Sequence, residues 1–263
     1  MSRYGSDLSD PGFTRGQLAE AERAHVLEAF GADGSVTQVT GMLGDGKEAT
    51  VYACVTAPHT GVERAVAKVY RAERFRAFRG ARGYVEGEVV KSGRVARALS
   101  NRSDFGRAIA HQRWVMREWQ TLCRLFDAGV DVPEPYAHSS DAILMEWIGD
   151  ADGIAPKLHD AQLDGAAARA AGAALLAAIE GMLRCDLVHG DLSPYNALWH
   201  DGRAVVIDFP QAADARTHPQ ARELLERDVR NVLQWQARRT GAGLAAEAVA
   251  SSLWSRYRHG RLG

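Results

Sequence analysis

Cysteine is scarce in this chain and badly placed for cross-linking. Cys54, Cys123 and Cys185 are odd in number, far apart in 263 residues and free of any C-x-x-C pair. That excludes a disulfide framework and a zinc knuckle, and it points to a reducing compartment. Excess charge of either sign is missing as well. Lys and Arg total 32 against 33 Asp and Glu, for a net charge of -1, so no global field draws the protein to nucleic acid or an anionic membrane. Long apolar runs are lacking too: Met1 to Asp7 has no signal core, and the most apolar stretch, Ala166 to Leu183, is broken by Arg169 and Glu180. These absences predict a soluble cytoplasmic protein with no membrane partner. Internal repeats and low-complexity tracts are also absent, while the length leaves room for one or two compact units.

What is present is oxygen-rich chemistry in a fixed pattern. Val188-His189-Gly190-Asp191-Leu192-Ser193-Pro194-Tyr195-Asn196 is followed by Ile207-Asp208-Phe209. An Asp, an Asn five residues on and a second Asp beyond a short hairpin are what a phosphoryl-transfer site of the protein-kinase type needs. One carboxylate orients the attacking hydroxyl, and the Asn oxygen with the other carboxylate holds Mg²⁺ against a triphosphate, since hard cations take oxygen ligands. The hairpin that closes this set is itself legible. Ala197-Leu198-Trp199 and Ala204-Val205-Val206-Ile207 flank His200-Asp201-Gly202-Arg203, and Asp-Gly is a strong turn signal. A lone Asp or Asn here would be ordinary turn chemistry; three in register are not.

The rest of the chain predicts an α+β, two-lobed, protein-kinase-like fold with an N-terminal helical extension. A leader and a helix over Gly16–Phe30, with Leu18, Val26, Leu27 and Phe30 to pack, fill residues 1–34. A β-rich lobe over 35–148 begins with strands at 35–40, 49–55 and 62–70. Between the first two strands, Gly41-Met42-Leu43-Gly44-Asp45-Gly46-Lys47-Glu48 nearly matches a P-loop. Glu48 replaces the required hydroxyl, however, and a strand follows instead of a helix, so the segment reads as a glycine-rich strand–turn–strand over a nucleotide, or as a plain hairpin. Lys68 sits inside Ala65-Val66-Ala67-Lys68-Val69-Tyr70, an unusual place for an ammonium without a partner. Its expected carboxylate is Glu118, on a helix over 105–126 whose stripe is read as Val115, Trp119, Leu122 and Phe126; Glu86 and Glu88 are rivals. Residues 71–113 carry eleven basic side chains against four acidic ones, a candidate RNA contact or a solvated insertion. Ala142-Ile143-Leu144-Met145 leads into Glu146-Trp147-Ile148-Gly149, whose backbone would be free to meet adenine. Residues 149–263 form a mainly helical lobe, with helices over 161–184, 218–239 and 244–257.

Taken together, these residues resemble the RIO family of atypical protein kinases, more the type without an N-terminal winged helix. The likeness lies in Gly46-Lys47-Glu48-Ala49-Thr50-Val51-Tyr52, Ala67-Lys68-Val69-Tyr70, Arg82 to Glu88, Pro133-Glu134-Pro135 and Met145 to Gly149. It continues in Val188 to Asn196, Ile207 to Ala212 and the His218-Pro219 helix with Arg227-Asp228-Val229. The resemblance implies ATP with Mg²⁺, Mn²⁺ being a substitute, and transfer to a Ser or Thr hydroxyl or an ATPase-driven switch on a protein or ribonucleoprotein. It implies Asp191 as the catalytic carboxylate, Asn196 and Asp208 as metal ligands, Lys68 on the phosphates with Glu118 as its partner, and Asp208 as a candidate phosphate acceptor. The nucleotide would be surrounded by Gly44, Gly46, Lys47, Glu48, Lys68, Glu118, Met145, Glu146, Ile148, Ser193, Asn196 and Asp208. Phe209-Pro210 and Gly190 depart from the family pattern, which expects Val-Ser and Ala there. Ser193 replaces a Lys common in protein kinases, which removes one cation from the γ-phosphate and implies slow transfer. Only ten residues, Phe209 to His218, separate the metal Asp from the next helix, leaving no obvious peptide platform. The competing readings are a small-molecule phosphotransferase of the antibiotic-kinase type and a nucleotide-gated RNA- or ribosome-binding module.

Overall fold

The computed structural model describes residues 15–32, 34–46, 49–70, 104–241, 243 and 245–262. Most of the basic insertion 71–113, and both Lys47 and Glu48, lie outside the described residues. The chain divides into two compact units. One comprises the chain up to Val115 plus Tyr136–Glu146, and the other Met116–Pro135 plus Trp147 onward. The single run expected over 35–148 is therefore divided, since Met116–Pro135 packs with the second unit.

In the first unit, α1 (Arg15–Gly31) lies against a sheet of order β1-β2-β3-β5-β4. Its strands are β1 (Val36–Asp45), β2 (Ala49–Thr56), β3 (Arg64–Tyr70), β4 (Pro135–His138) and β5 (Ala142–Glu146). Glu22, Val26 and Phe30 recur every fourth residue and form the buried stripe of α1. Leu27, expected to pack, lies off that stripe and is 39% exposed. Alternation sorts β3 cleanly. Ala65, Ala67 and Val69 join Val26, Phe30, Tyr52, Cys54 and Leu144 in one apolar cluster, while Val66, Lys68 and Tyr70 face the other way. On that other face Tyr70 meets Trp114 edge-on, with ring centroids 5.1 Å apart. Two polar ties fasten α1 to the sheet unit. The buried Tyr52 hydroxyl donates to Glu22 Oε2 at 2.5 Å, and His25 Nε2 lies 2.8 Å from Asp141 Oδ1.

The helix α2 (Asp104–Asp127) confirms the helical reading but not its face. Val115, Glu118, Leu122 and Leu125 are buried, Trp119 is half-buried and Phe126 is 39% exposed. A stripe stepping by three and four residues can follow either set, and the packing selects the one that carries Glu118.

The second unit is built on α3 (Gly165–Arg184), α4 (Ala221–Thr240) and α5 (Ala246–Arg258), with two small hairpin-like sheets beside them. Asp164 caps α3 by accepting from the Ala167 amide at 2.7 Å, so the helix starts later than the expected Ala161. By length and composition α3 could cross a membrane, yet half of its apolar window is buried within the protein, with Ala168, Leu175, Ile179 and Leu183 inward. The strands β7 (Ala197–His200) and β8 (Arg203–Val206) pair antiparallel around Asp201-Gly202. Those two residues have φ of 48° and 77°, the doubly left-handed turn that Asp-Gly favours. The short strands β6 (Leu187–Val188) and β9 (Ala213–Asp214) pair antiparallel, Val188 opposite Ala213.

Candidate active site

The first unit places Lys68 by register alone. It stands on the central strand, opposite Val51 on one side and Ile143 on the other, and is 9% exposed with Nζ 5.2 Å from the Tyr70 ring centroid. Gly44 pairs with Val51 at the end of β1, where an added Cβ would meet nothing within 4 Å. The turn beyond it is tied by Gly46 N–H to Ala49 O at 2.9 Å and by the Thr50 hydroxyl to Asp45 Oδ1 at 3.0 Å. Met145 and Glu146 end β5, opposite Val66 and Ala65.

Asp191, Asn196 and Asp208 all belong to the second unit, and the hairpin returns the chain at Asp208 toward Asn196 as expected. The ladder pairs Ala197 with Val206 and continues through Ile207 N–H to Asn196 O at 3.0 Å, so Asn196 and Asp208 leave adjoining ends of it. Asn196 Nδ2 donates to the Asp191 carbonyl at 2.8 Å, which fixes its amide and leaves Oδ1 as the oxygen to offer a cation. Asp191 is exposed, Asp208 half-buried. Asp208 has φ of 73°, a left-handed backbone that an L-residue holds at a cost of order 1–3 kcal/mol. Its neighbours hold it there. Ile207 is bonded at N–H by Asn196 and at its carbonyl by His189 Nε2 at 3.3 Å, while the Phe209 ring packs 5.2 Å from the buried His189 ring. His189 Nδ1 accepts the Asp191 amide at 3.3 Å, which leaves Nε2 as the ring nitrogen facing the Ile207 carbonyl. Ser193 precedes the turn Pro194–Asn196 and accepts the Asn196 amide at 2.9 Å.

The residue that sequence reading left without a role is Asp228. Its Oδ2 accepts the Gly190 amide at 2.8 Å and its Oδ1 the Leu192 amide at 2.9 Å, gripping the loop on both sides of Asp191. Burial pushes its carboxyl up to about 7, with the two amides and Arg227 pulling the other way. In the sequence it stands within Arg227-Asp228-Val229, a segment of the family likeness to which no role was attached. Gly190 is explained by the same geometry: φ is 79°, and a Cβ would lie 2.7 Å from the Gln211 carbonyl oxygen.

The short segment after Asp208 is fastened by charge. Asp214 takes Arg216 in two bonds, at 3.3 and 2.7 Å, and Arg216 also lies 3.4 Å from Asp186, which accepts the Tyr257 hydroxyl at 2.8 Å. The Arg216 hydrogen bonds hold the Asp214 carboxyl down at about 2. One expectation fails in detail. The Ile148 carbonyl, expected to be free for adenine, accepts the Ala155 amide at 2.8 Å, because the loop after Gly149 folds back on it. Ile148 itself is buried with Ala155 and Val205.

A metal fits the donors present. Among the described residues no group of three or more His, Cys, Asp or Glu could hold an ion. Mg²⁺, however, takes one or two protein oxygens and completes its shell with phosphates and water, and an amide oxygen and a carboxylate such as those of Asn196 and Asp208 are donors of the type it takes.

A model of the RIO domain matches residues 50–249. The RIO-type serine/threonine-protein kinase Rio1 of Haloferax volcanii is 35% identical over 217 residues, covering 82% of this chain and 69% of that protein. Serine/threonine-protein kinase RIO1 of Chaetomium thermophilum is 34% identical over 78% of this chain, and the human protein of that name 32% over 82%. The chain spans 40% and 36% of the length of those two relatives. Among solved structures, the PknI kinase domain of Mycobacterium tuberculosis matches at 18% identity and a TM-score of 0.49, over 84% of this chain and 85% of that one.

Proposed function

Since the chain belongs to the RIO family of kinases, we propose that it uses ATP and Mg²⁺ to phosphorylate a Ser or Thr hydroxyl on a protein or ribonucleoprotein, its own chain included. Transfer to water is the competing outcome. The observation that carries this reading is the ladder end at which Asn196 and Asp208 emerge, with Asn196 turned by its bond to the Asp191 carbonyl. In this reading Asn196 Oδ1 and the Asp208 carboxylate hold the metal, which neutralises the triphosphate when bound. Asp191, exposed on its gripped loop, orients the hydroxyl and accepts its proton. Lys68 binds the α- and β-phosphates, with Glu118 as its carboxylate partner. The glycine-rich turn at Gly44 and Gly46, with Lys47 and Glu48, covers the nucleotide, and Met145, Glu146 and Ile148 meet the base. Ser193 brings no cation to the γ-phosphate, which makes transfer slow. The three free cysteines suit a cytoplasmic location.

Purified protein with γ-labelled ATP and Mg²⁺ should label itself or release phosphate, and Asp208→Ala should abolish both signals. Undiminished signal in that variant would remove the assigned mechanism.

A further inference from the structure

Every backbone polar group of residues 190, 191 and 192 is bound by a side chain. Asp228 takes the amides of Gly190 and Leu192, His189 the amide of Asp191 and Asn196 its carbonyl. Two groups remain, and α4 supplies both partners: Arg227 Nη2 donates to the Gly190 carbonyl, and Asn231 Nδ2 to the Leu192 carbonyl at 2.9 Å. Arg227 and Asn231 are four apart and Asp228 lies between them, so one helix face delivers three prongs to one loop.

The need for the carbonyl contacts follows from Gly190. Its left-handed φ and its approach to Gln211 admit no side chain, so the residue directly before Asp191 is the most flexible type available. Holding its amide fixes the peptide that precedes it. The peptide between Gly190 and Asp191 is held at its amide by a single long bond to His189 Nδ1, at 3.3 Å, so the Gly190 carbonyl is the second point that stops the plane from tilting and swinging the Asp191 carboxylate. We infer that Arg227 and Asn231 are positioning residues for phosphoryl transfer. Arg227 locks the peptide plane entering Asp191, and Asn231 the plane leaving Leu192. This rests on the assignment of Asp191 made above.

The test uses the full chain with Arg227→Met, which removes the donors and keeps the length, and Asn231→Asp, which keeps the shape and reverses the contact. Each should lower kcat about tenfold, leave the KM for ATP within about twofold and leave the melting temperature within about 3 °C. Arg227→Lys should recover part of the rate. In an Asp191→Asn background neither substitution should cost more, because both act through Asp191. Wild-type turnover in both single variants, with Asp191→Asn inactive, would overturn this inference alone. So would losses that persist in the Asp191→Asn background, or that follow the melting temperature or the substrate KM. Turnover surviving Asp191→Asn would instead sink the reading on which the inference rests.

Discussion

The sheet of the first unit and the loops of the second place chemistry by opposite means. Lys68 is located by a ladder: two neighbouring strands fix its register, and alternation decides which face it takes. No side chain is needed to hold its backbone. Asp191 sits in a loop whose amides and carbonyls reach to His189, Asn196, Arg227, Asp228 and Asn231, the last three on a helix more than thirty residues away. Backbone pairing tolerates substitution of side chains, whereas side-chain pairing of backbone does not. The sheet unit should therefore absorb mutations that leave its pattern intact, and the loops should fail one contact at a time.

The sharpest test of that contrast is Asp228→Ala. It strips partners from the buried amides of Gly190 and Leu192, and each unpaired group costs about 1–3 kcal/mol. Removing the buried carboxylate returns part of that cost. The expected outcome is a loss of about 2–4 kcal/mol in chemical denaturation and at least about a hundredfold drop in kcat, since a displaced carboxylate no longer meets the hydroxyl. A variant with both values near wild type would show that the loop holds itself.

Lys68→Met combined with Glu118→Leu probes the other side. Lys68 is 9% and Glu118 4% exposed, and replacing both members of a buried ion pair with apolar chains of similar volume is often neutral. Stability should change by less than about 1 kcal/mol. Affinity for a non-hydrolysable ATP analogue, read by calorimetry, should fall about tenfold as one charge-assisted contact is lost. A large loss of stability with unchanged nucleotide affinity would make Lys68 a structural residue and erase the contrast.

The same division explains what could be read from the residues. Strands appear as period-two runs, and Asp201-Gly202 announces its turn because few residue pairs accept two left-handed conformations in succession. Lys68 stands out as one cation in an apolar strand. The orientation of α2 was not legible, since Val115-Trp119-Leu122-Phe126 and Val115-Glu118-Leu122-Leu125 satisfy helical periodicity equally, and only packing shows Phe126 outside. Asp228 was hidden for a different reason. Its partners are 36 and 38 residues away, and a helix acid that binds backbone looks like one that meets water. The short β4 gave no signal, being four residues opened by a proline.

The smallest expected effect separates two aspartates that both accept backbone amides. Asp214 is held down at about 2 by Arg216 and accepts the amides of Arg216 and Thr217, while Asp228 is raised to about 7 by burial. A carboxyl lowered by folding favours the folded state above its unfolded value of about 3.9. That contribution is lost as pH falls from there through about 2. For Asp228 the sign reverses: the folded state binds the proton more tightly, so its contribution declines as pH rises from about 4 to about 7. Arg216→Gln should therefore weaken the protein above about pH 4, and its difference from the wild type should vanish as pH falls through about 2. Because Asp214 and Arg216 are 33% and 59% exposed, solvent screening keeps the loss at neutral pH small. Urea titrations from pH 3 to 8 would show this as a shallower acid limb with the slope between 4 and 7 unchanged. A changed slope in that upper window instead would mean that the two carboxylates titrate as one coupled set, and that the charge network around Arg216 reaches the loop carrying Asp191.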